Sequence, residues 1–246
     1  MLVTILGSGV FKPKRVRYPS GIALCIGEKT IIFDAGSGTF MRAVEAGIDY
    51  EKIEHIFITH LHIDHVSDLL QYLWAFHLDR KKDLFLFGPK GFGGFYNTLT
   101  KLAPQFLNLP FKVKLKELEG GEEILLPFCK VEVAQTKHSK EVLSLCYKVQ
   151  AEGKIFCYSG DTGYCEELID FFKNADLLIL ECTMPDEKKI ETHLSPAECA
   201  KIAKKAKVKK LVLTHLDFDP ERAKNGCIKA SFKEVVVAED LMKIRV

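Results

Sequence analysis

Residues 59–65 read T-H-L-H-I-D-H, which places three imidazoles and a carboxylate within a single short stretch. Alternate residues of an extended segment project to one side, so His60 and His62 can hold one cation, while the turn that follows can carry Asp64 and His65 towards a second. Without a cation, such a cluster would crowd buried polar groups that need other partners. Neutral imidazole and carboxylate suit divalent metal ions, zinc first, with manganese and iron as the other candidates. Four ligands from one turn cannot complete two coordination spheres, so the rest of the chain must add histidine and an acidic bridge. His138, Asp161 (in Y-S-G-D-T) and His215 (in V-L-T-H) each follow a run of strand-forming residues, at the edge where side chains from different strands can converge.

Bringing these residues together requires strands that end at a common edge. Strand patterns cover residues 2–6, 22–26 and 30–33, the last two joined as a hairpin at Gly27 and Glu28. Further strand runs fall at 55–58, 83–87, 111–115, 131–135, 143–149, 154–158, 177–180, 210–213 and 234–237. Helical spacing marks 40–46 (closed by Gly47), 67–77, 94–102, 165–173 and 196–206. Helices thus punctuate two mostly β regions, an α/β pattern that suits two sheets face to face with helices outside, although a doubly wound sheet has the same periodicity. Neither an internal repeat nor a low-complexity linker is visible, and one folded unit over residues 1–246 is expected.

The chain has 35 Lys and Arg against 33 Asp and Glu, so global charge does not mark a nucleic-acid or membrane binder, and attraction for an anion must be local. The start, MLVTILGSG, reads as a strand running into a turn rather than an export signal, and no apolar run is long enough to cross a bilayer. Eight scattered cysteines inside apolar patterns read as buried free thiols, which fits a cytoplasmic location. The helix with Leu69, Leu70, Leu73, Trp74 and Phe76 could contribute to a homodimer interface, with core packing the commoner explanation.

Taken in order, F-D-A-G-S-G-T with Asp34, the histidine cluster, His138, Gly160-Asp161-Thr162 and Thr214-His215 resemble the metallo-β-lactamase superfamily over nearly the whole chain. The resemblance implies a four-layer αββα sandwich with two metals at one edge. It implies His60, His62 and His138 on the first ion, Asp64, His65 and His215 on the second, Asp161 bridging, and Asp34 supporting the site by hydrogen bonding. The reaction implied is hydrolysis by a metal-bridging hydroxide, which two cations generate near neutral pH.

Within the superfamily, C-T-M-P-D-E at 182–187 and T-H-L-S at 192–195 resemble the ribonuclease Z and phosphodiesterase group. There the residue matching His193 assists at the scissile phosphate rather than binding metal, and Glu181 stands where an acid would orient it. Asp64, His193 and Glu181 are therefore the candidates for the catalytic step. A structural reading coexists with this one: Ser195, Pro196 and Glu198 have the spacing of a helix capping box. Ribonuclease Z usually carries an extended arm that grips transfer RNA between the positions of His138 and Asp161, where this chain has room only for two strands and a turn. A-G-S-G-T-F after Asp34 also departs from that enzyme's C-G-E-G-T-Q. A small cyclic or short nucleotide phosphodiester is thus the expected substrate, with transfer-RNA 3′ processing as the alternative. Hydrolysis of a carboxyl ester, lactam or thioester leaves His193 and Glu181 without a role, and a non-catalytic metal-binding scaffold is opposed by the full ligand set. A flavodiiron oxygen reductase would have Glu in the cluster and an added flavin domain. The basic loop at 12–18 supplies Lys12, Lys14, Arg15 and Arg17 as possible phosphate contacts, with a solvated loop as the equal alternative.

Overall fold

The structure is a computed structural model describing residues 1–12, 14–79, 82–102 and 104–246. Two seven-stranded sheets face one another. In the first, β1 (Leu2–Gly7), β2 (Gly21–Ile26), β3 (Lys29–Phe33), β4 (Ile53–Phe57), β5 (Leu84–Pro89) and β6 (Val113–Leu118) lie side by side in chain order. In the second, the same is true of β7 (Glu123–Leu126), β8 (Cys129–Gln135), β9 (Leu145–Ala151), β10 (Lys154–Tyr158), β11 (Leu177–Glu181), β12 (Leu211–Thr214) and β13 (Val235–Val237). The last strand, β14 (Lys243–Arg245), returns to pair with β1.

The sheets repeat one pattern. Pairing is antiparallel up to β3 in the first and up to β10 in the second, and parallel from there on. Parallel neighbours need a crossover, and helices supply each one. The first sheet uses α1 (Thr39–Glu45), α2 (Ile63–Val66) with α3 (Leu69–Asp79), and α4 (Phe92–Lys101). The second uses α5 (Glu167–Phe171), α6 (Pro196–Lys205) and α7 (Pro220–Lys229).

Alternation along the strands explains the layering. Ile31 and Phe33 point into the space between the sheets while Ile32 points to the helices of the first sheet. Leu177 and Ile179 likewise point inward, and Leu178 and Leu180 face the helices of the second. Strands buried on both faces read as continuous apolar runs, which is why L-L-I-L has no polar side. Three apolar clusters result, one between the sheets and one under each helical layer, making four layers, αββα. The doubly wound alternative is excluded.

Several expected boundaries shift. Strand β6 begins at Val113, because Phe111 is drawn into the outer core instead of the ladder; β9 begins at Leu145, and α5 is shorter than the pattern suggested. Strands β7 and β14 and helix α7 went unseen in the sequence. Six of the eight free cysteines are buried, and Cys25 and Cys165 are half-buried. In α3, Leu69, Leu73 and Phe76 are buried in the core, leaving Trp74 43% exposed, so the apolar excess is mostly internal packing. Among the described residues, no helix is long and apolar enough to cross a membrane.

Candidate metal centre

The C-terminal ends of the parallel strands meet at one edge of the sandwich, the place where open α/β sheets present their functional loops. Asp34 follows β3, Thr59 and His60 follow β4, Asp161 follows β10, Glu181 ends β11 and His215 follows β12. The turn after β4 is extended through His62 and then folds into α2, which swings Asp64 and His65 back over the strand end.

All seven expected ligands come together. His60 Nε2 and His138 Nε2 lie 3.0 and 3.1 Å from His62 Nδ1. On the other side, Asp64 Oδ2 lies 3.4 Å from His215 Nε2 and 3.8 Å from His65 Nε2. Asp161 touches both groups: its Oδ2 is 3.8 Å from His60 Nε2 and His138 Nε2 and 3.5 Å from His215 Nε2, and its Oδ1 is 3.5 Å from His65 Nε2. Both triads have ligand atoms within 4.8 Å of one another, the reach of a common cation.

Second contacts fix which ring nitrogen faces the centre. His65 Nδ1 donates to Asp34 Oδ2 at 2.8 Å, His138 Nδ1 to the Thr192 carbonyl at 3.0 Å, and His215 Nδ1 to Thr183 Oγ1 at 2.9 Å. Each leaves Nε2 with its lone pair turned inward, the tautomer a metal needs. Asp34 is fully buried and also accepts from the Thr59 amide (2.7 Å), the Thr59 hydroxyl and the Tyr158 hydroxyl (2.8 Å). Its oxygens are thus taken up by Thr59, His65 and Tyr158. Asp34 and His215 both adopt left-handed backbone, φ 60° and 56°, a conformation that favours glycine and costs of order 1–2 kcal/mol for other residues.

The residues present fit cations. His65 Nε2 and Asp161 Oδ1 are buried without a hydrogen-bond partner, although buried polar atoms are nearly always satisfied. Electrostatics agrees. Burial alone would push His65 down, but the carboxylates of Asp161 and Asp34 outweigh it and hold its pKa well above the usual value. Burial would likewise push Asp161 up, yet the neighbouring His215 and His65 hold it well below the ordinary carboxylate range. His60, desolvated and beside His65, is held well below its usual value. The carboxylates thus favour positive charge at His65 where a divalent cation would supply it, and cation binding would require Nε2 without its proton.

Beside the ligands sits a second assembly. His193 Nδ1 donates to Glu181 Oε1 at 2.7 Å, and its ring centre is 4.8 Å from that of His138 and 5.8 Å from that of His215. Burial lowers the His193 pKa, but the hydrogen bond and charge of Glu181 raise it further, to about 9. Glu181 is fully buried and accepts from the amides of Thr162, Thr183 and Leu194 as well as from Thr183 Oγ1 and His193. Enclosed by these donors, it presents nothing to solvent and contacts the site through His193 and Thr183. The capping box of α6 forms as well, with the Ser195 amide and hydroxyl both 3.0 Å from Glu198 Oε2, and it closes the loop that carries His193.

The basic loop divides. Lys12 and Arg15 are exposed, and Lys14 pairs with Asp217 at 2.9 Å, next to the His215 loop. Arg17 is a correction: it is 8% exposed, with its guanidinium donating to Ser8 Oγ and the Ala238 carbonyl at 2.7 and 2.6 Å, so it braces the chain and offers nothing to a phosphate. Thr183 and the Thr192 carbonyl were missed, because a threonine or a backbone oxygen carries no signal until the histidine that it orients is found beside it.

A family model described as a β-lactamase superfamily domain matches residues 29–216. A protein named ribonuclease Z from Methanothermobacter thermautotrophicus is 29% identical in an alignment covering 100% of this chain and 97% of the relative. The crystal structure of human tRNase Z, short form, superposes with a TM-score of 0.85 at 27% identity, covering 100% of this chain and 99% of that one. The metallo-β-lactamase fold protein YhfI from Bacillus subtilis has the same fold, with a TM-score of 0.87 at 21% identity and coverage of 99% and 98%. With its ligand set, its four layers and these relatives, the chain belongs to the metallo-β-lactamase superfamily, in the ribonuclease Z-like branch, and is a metal-dependent hydrolase.

Proposed function

We propose that the protein is a phosphodiester hydrolase of ribonuclease Z type that acts on RNA, with two divalent cations, zinc foremost, held by His60, His62 and His138 and by Asp64, His65 and His215, and shared through Asp161. This reverses the preference drawn from the sequence, which placed a small cyclic or short nucleotide first. Full-length similarity to a protein named ribonuclease Z supports the larger substrate. The short connection between His138 and Asp161, made of residues 139–144 with β9 and β10, argues only against a long gripping arm.

The observation that carries the reading is the His193–Glu181 pair against the ligand cluster. When bound, the cations activate water and neutralise charge on phosphoryl oxygens. The chain's own part is proton delivery and orientation. With Nδ1 committed to Glu181, His193 has Nε2 free to give its proton to the alkoxide that leaves as the phosphorus–oxygen bond breaks. Glu181 fixes the ring for that transfer, and cations held at the neighbouring ligands would lower the His193 pKa. An ester or lactam hydrolase gives this pair no comparable task.

The test compares metal-loaded wild type and His193→Ala on an RNA with a 3′ extension, a cyclic nucleotide and a carboxyl ester, with metal content measured for both. Selective RNA cleavage by wild type, falling about a hundredfold or more in a variant that keeps its metals, is expected. Turnover of the ester alone, or an equally active variant, would overturn the proposal.

A further inference from the structure

A cleft of about 870 Å3 adjoins the centre, bounded by His62 and His138 on the metal side, by Lys137 and Lys140 from the β8–β9 connection, and by Cys165 and Thr192 opposite. That volume lies in the range of sites that enclose a small organic ligand. Its wall is bolted to the ligands: Thr136 Oγ1 donates to the Asp161 carbonyl at 2.8 Å, the Gly163 amide to the Lys137 carbonyl at 2.5 Å, and His138 Nδ1 to the Thr192 carbonyl at 3.0 Å. Anything held there is registered against the metal ligands.

Both ammonium groups are available. Lys137 is 54% exposed and its carboxylate neighbour, Glu191, stands 3.9 Å away and is itself 88% exposed, a pair worth little in water. Lys140 is exposed. Glu141, Glu167 and Glu191 share the lining, so the cleft carries more negative than positive side chains and does not draw polyanions in from a distance. A phosphate is welcome only where the lysines stand, and the carboxylates repel it elsewhere, which sets register as well as affinity.

We infer that this cleft is the subsite for the nucleotide next to the scissile bond, with Lys137 and Lys140 gripping that nucleotide's phosphate in place of a separate arm. The inference rests on the RNA-cleaving reading above. A polynucleotide with one phosphate at the cations must place its neighbour in an adjoining space, and this cleft borders both His62 and His138.

Lys137→Glu, Lys140→Glu and the double variant are compared with wild type on a single-stranded oligoribonucleotide and on bis(p-nitrophenyl) phosphate, which has no neighbouring phosphate, over a range of salt. The ratio of kcat/KM for RNA to that for the small diester falls about tenfold in the double variant, mainly through KM, as loss of charge-assisted contacts requires. The salt dependence flattens by roughly 0.7 in log–log slope for each lysine removed. RNA cleavage with an unchanged ratio overturns the subsite and leaves the RNA-cleaving reading intact, whereas hydrolysis of the small diester without any RNA cleavage by wild type overturns that reading itself. Independently of any charge change, maleimide labelling of Cys165 in a Cys25→Ser background slows when the metal-loaded protein is saturated with a hydrolysis-resistant phosphorothioate oligonucleotide; undiminished labelling at saturation counts against the subsite.

Discussion

The two sheets share one construction and differ in what they do with the first carboxylate after the change from antiparallel to parallel pairing. After β3 that carboxylate is Asp34, surrounded by donors from Thr59, His65 and Tyr158 and turned away from the centre. After β10 it is Asp161, whose Oδ1 is buried without a partner beside His65 and whose Oδ2 lies between the two ligand groups. Support in the second sheet falls instead to Glu181 at the end of the next strand. An identical place in a sheet therefore yields a carboxylate open to the centre or one enclosed by hydrogen bonds, according to whether the neighbouring strand end brings donors to it.

Asp161→Ala strikes the shared ligand and should show the largest effect. Loss of metal at both positions, seen by elemental analysis, and a fall in rate of about a thousandfold are expected. Retention of both metals would deny Asp161 its bridging place.

Asp34→Asn and Glu181→Gln separate the two braces. The first leaves His65 poorly oriented and should weaken metal binding by about 10- to 100-fold in a chelator competition. The second replaces the charged acceptor of His193 with a neutral amide and should lower the rate by about a hundredfold while metal binding changes less, since Glu181 reaches the ligand positions indirectly, through Thr183 and the Thr162 amide. Equal metal loss in both variants would make the distinction between the sheets untenable.

A third contrast is read against pH in chelated protein. The folded His193 pKa, near 9, lies above its ordinary 6.5, so the charged pair with Glu181 contributes its full stability below about pH 6.5 and loses it as pH rises through 9. The difference in urea midpoint between wild type and His193→Gln should shrink across that window; a constant difference would mean that the pair is not charged.

Ser195→Ala gives the smallest effect. Loss of the cap on α6 costs about 1 kcal/mol by urea denaturation, with a modest fall in rate because the His193 loop is less well held. No change in stability would leave the capping contacts without energetic weight.

Much of this was legible before the fold was known. Three imidazoles and a carboxylate at a strand end admit few readings, and the continuous apolar run L-L-I-L marked β11 as a strand. Helix α7 escaped because only Ala223 and Cys227 on it are buried, so no apolar stripe marks it, although Asp219 before Pro220 was a usable start signal. Strand β14 is a polar-edged tripeptide whose register is set by β1, far away in sequence. Arg17 misled because a charged residue in a loop reads as solvent-facing, and only the fold brings Ser8 and Ala238 to it.

The hydrogen bond from His138 to the Thr192 carbonyl makes occupancy and reactivity an interlock. One end of that bond belongs to His138, proposed as a ligand of the first cation, and the other to the residue before His193, the proposed proton donor, so filling the centre and aligning His193 would be linked equilibria. Linkage runs both ways: whatever stiffens the 192–195 loop should raise affinity for the first cation by the same factor by which that cation steadies the loop. On the proposed function, a protein lacking that cation would lack an aligned acid as well, which would guard against turnover by a half-assembled centre.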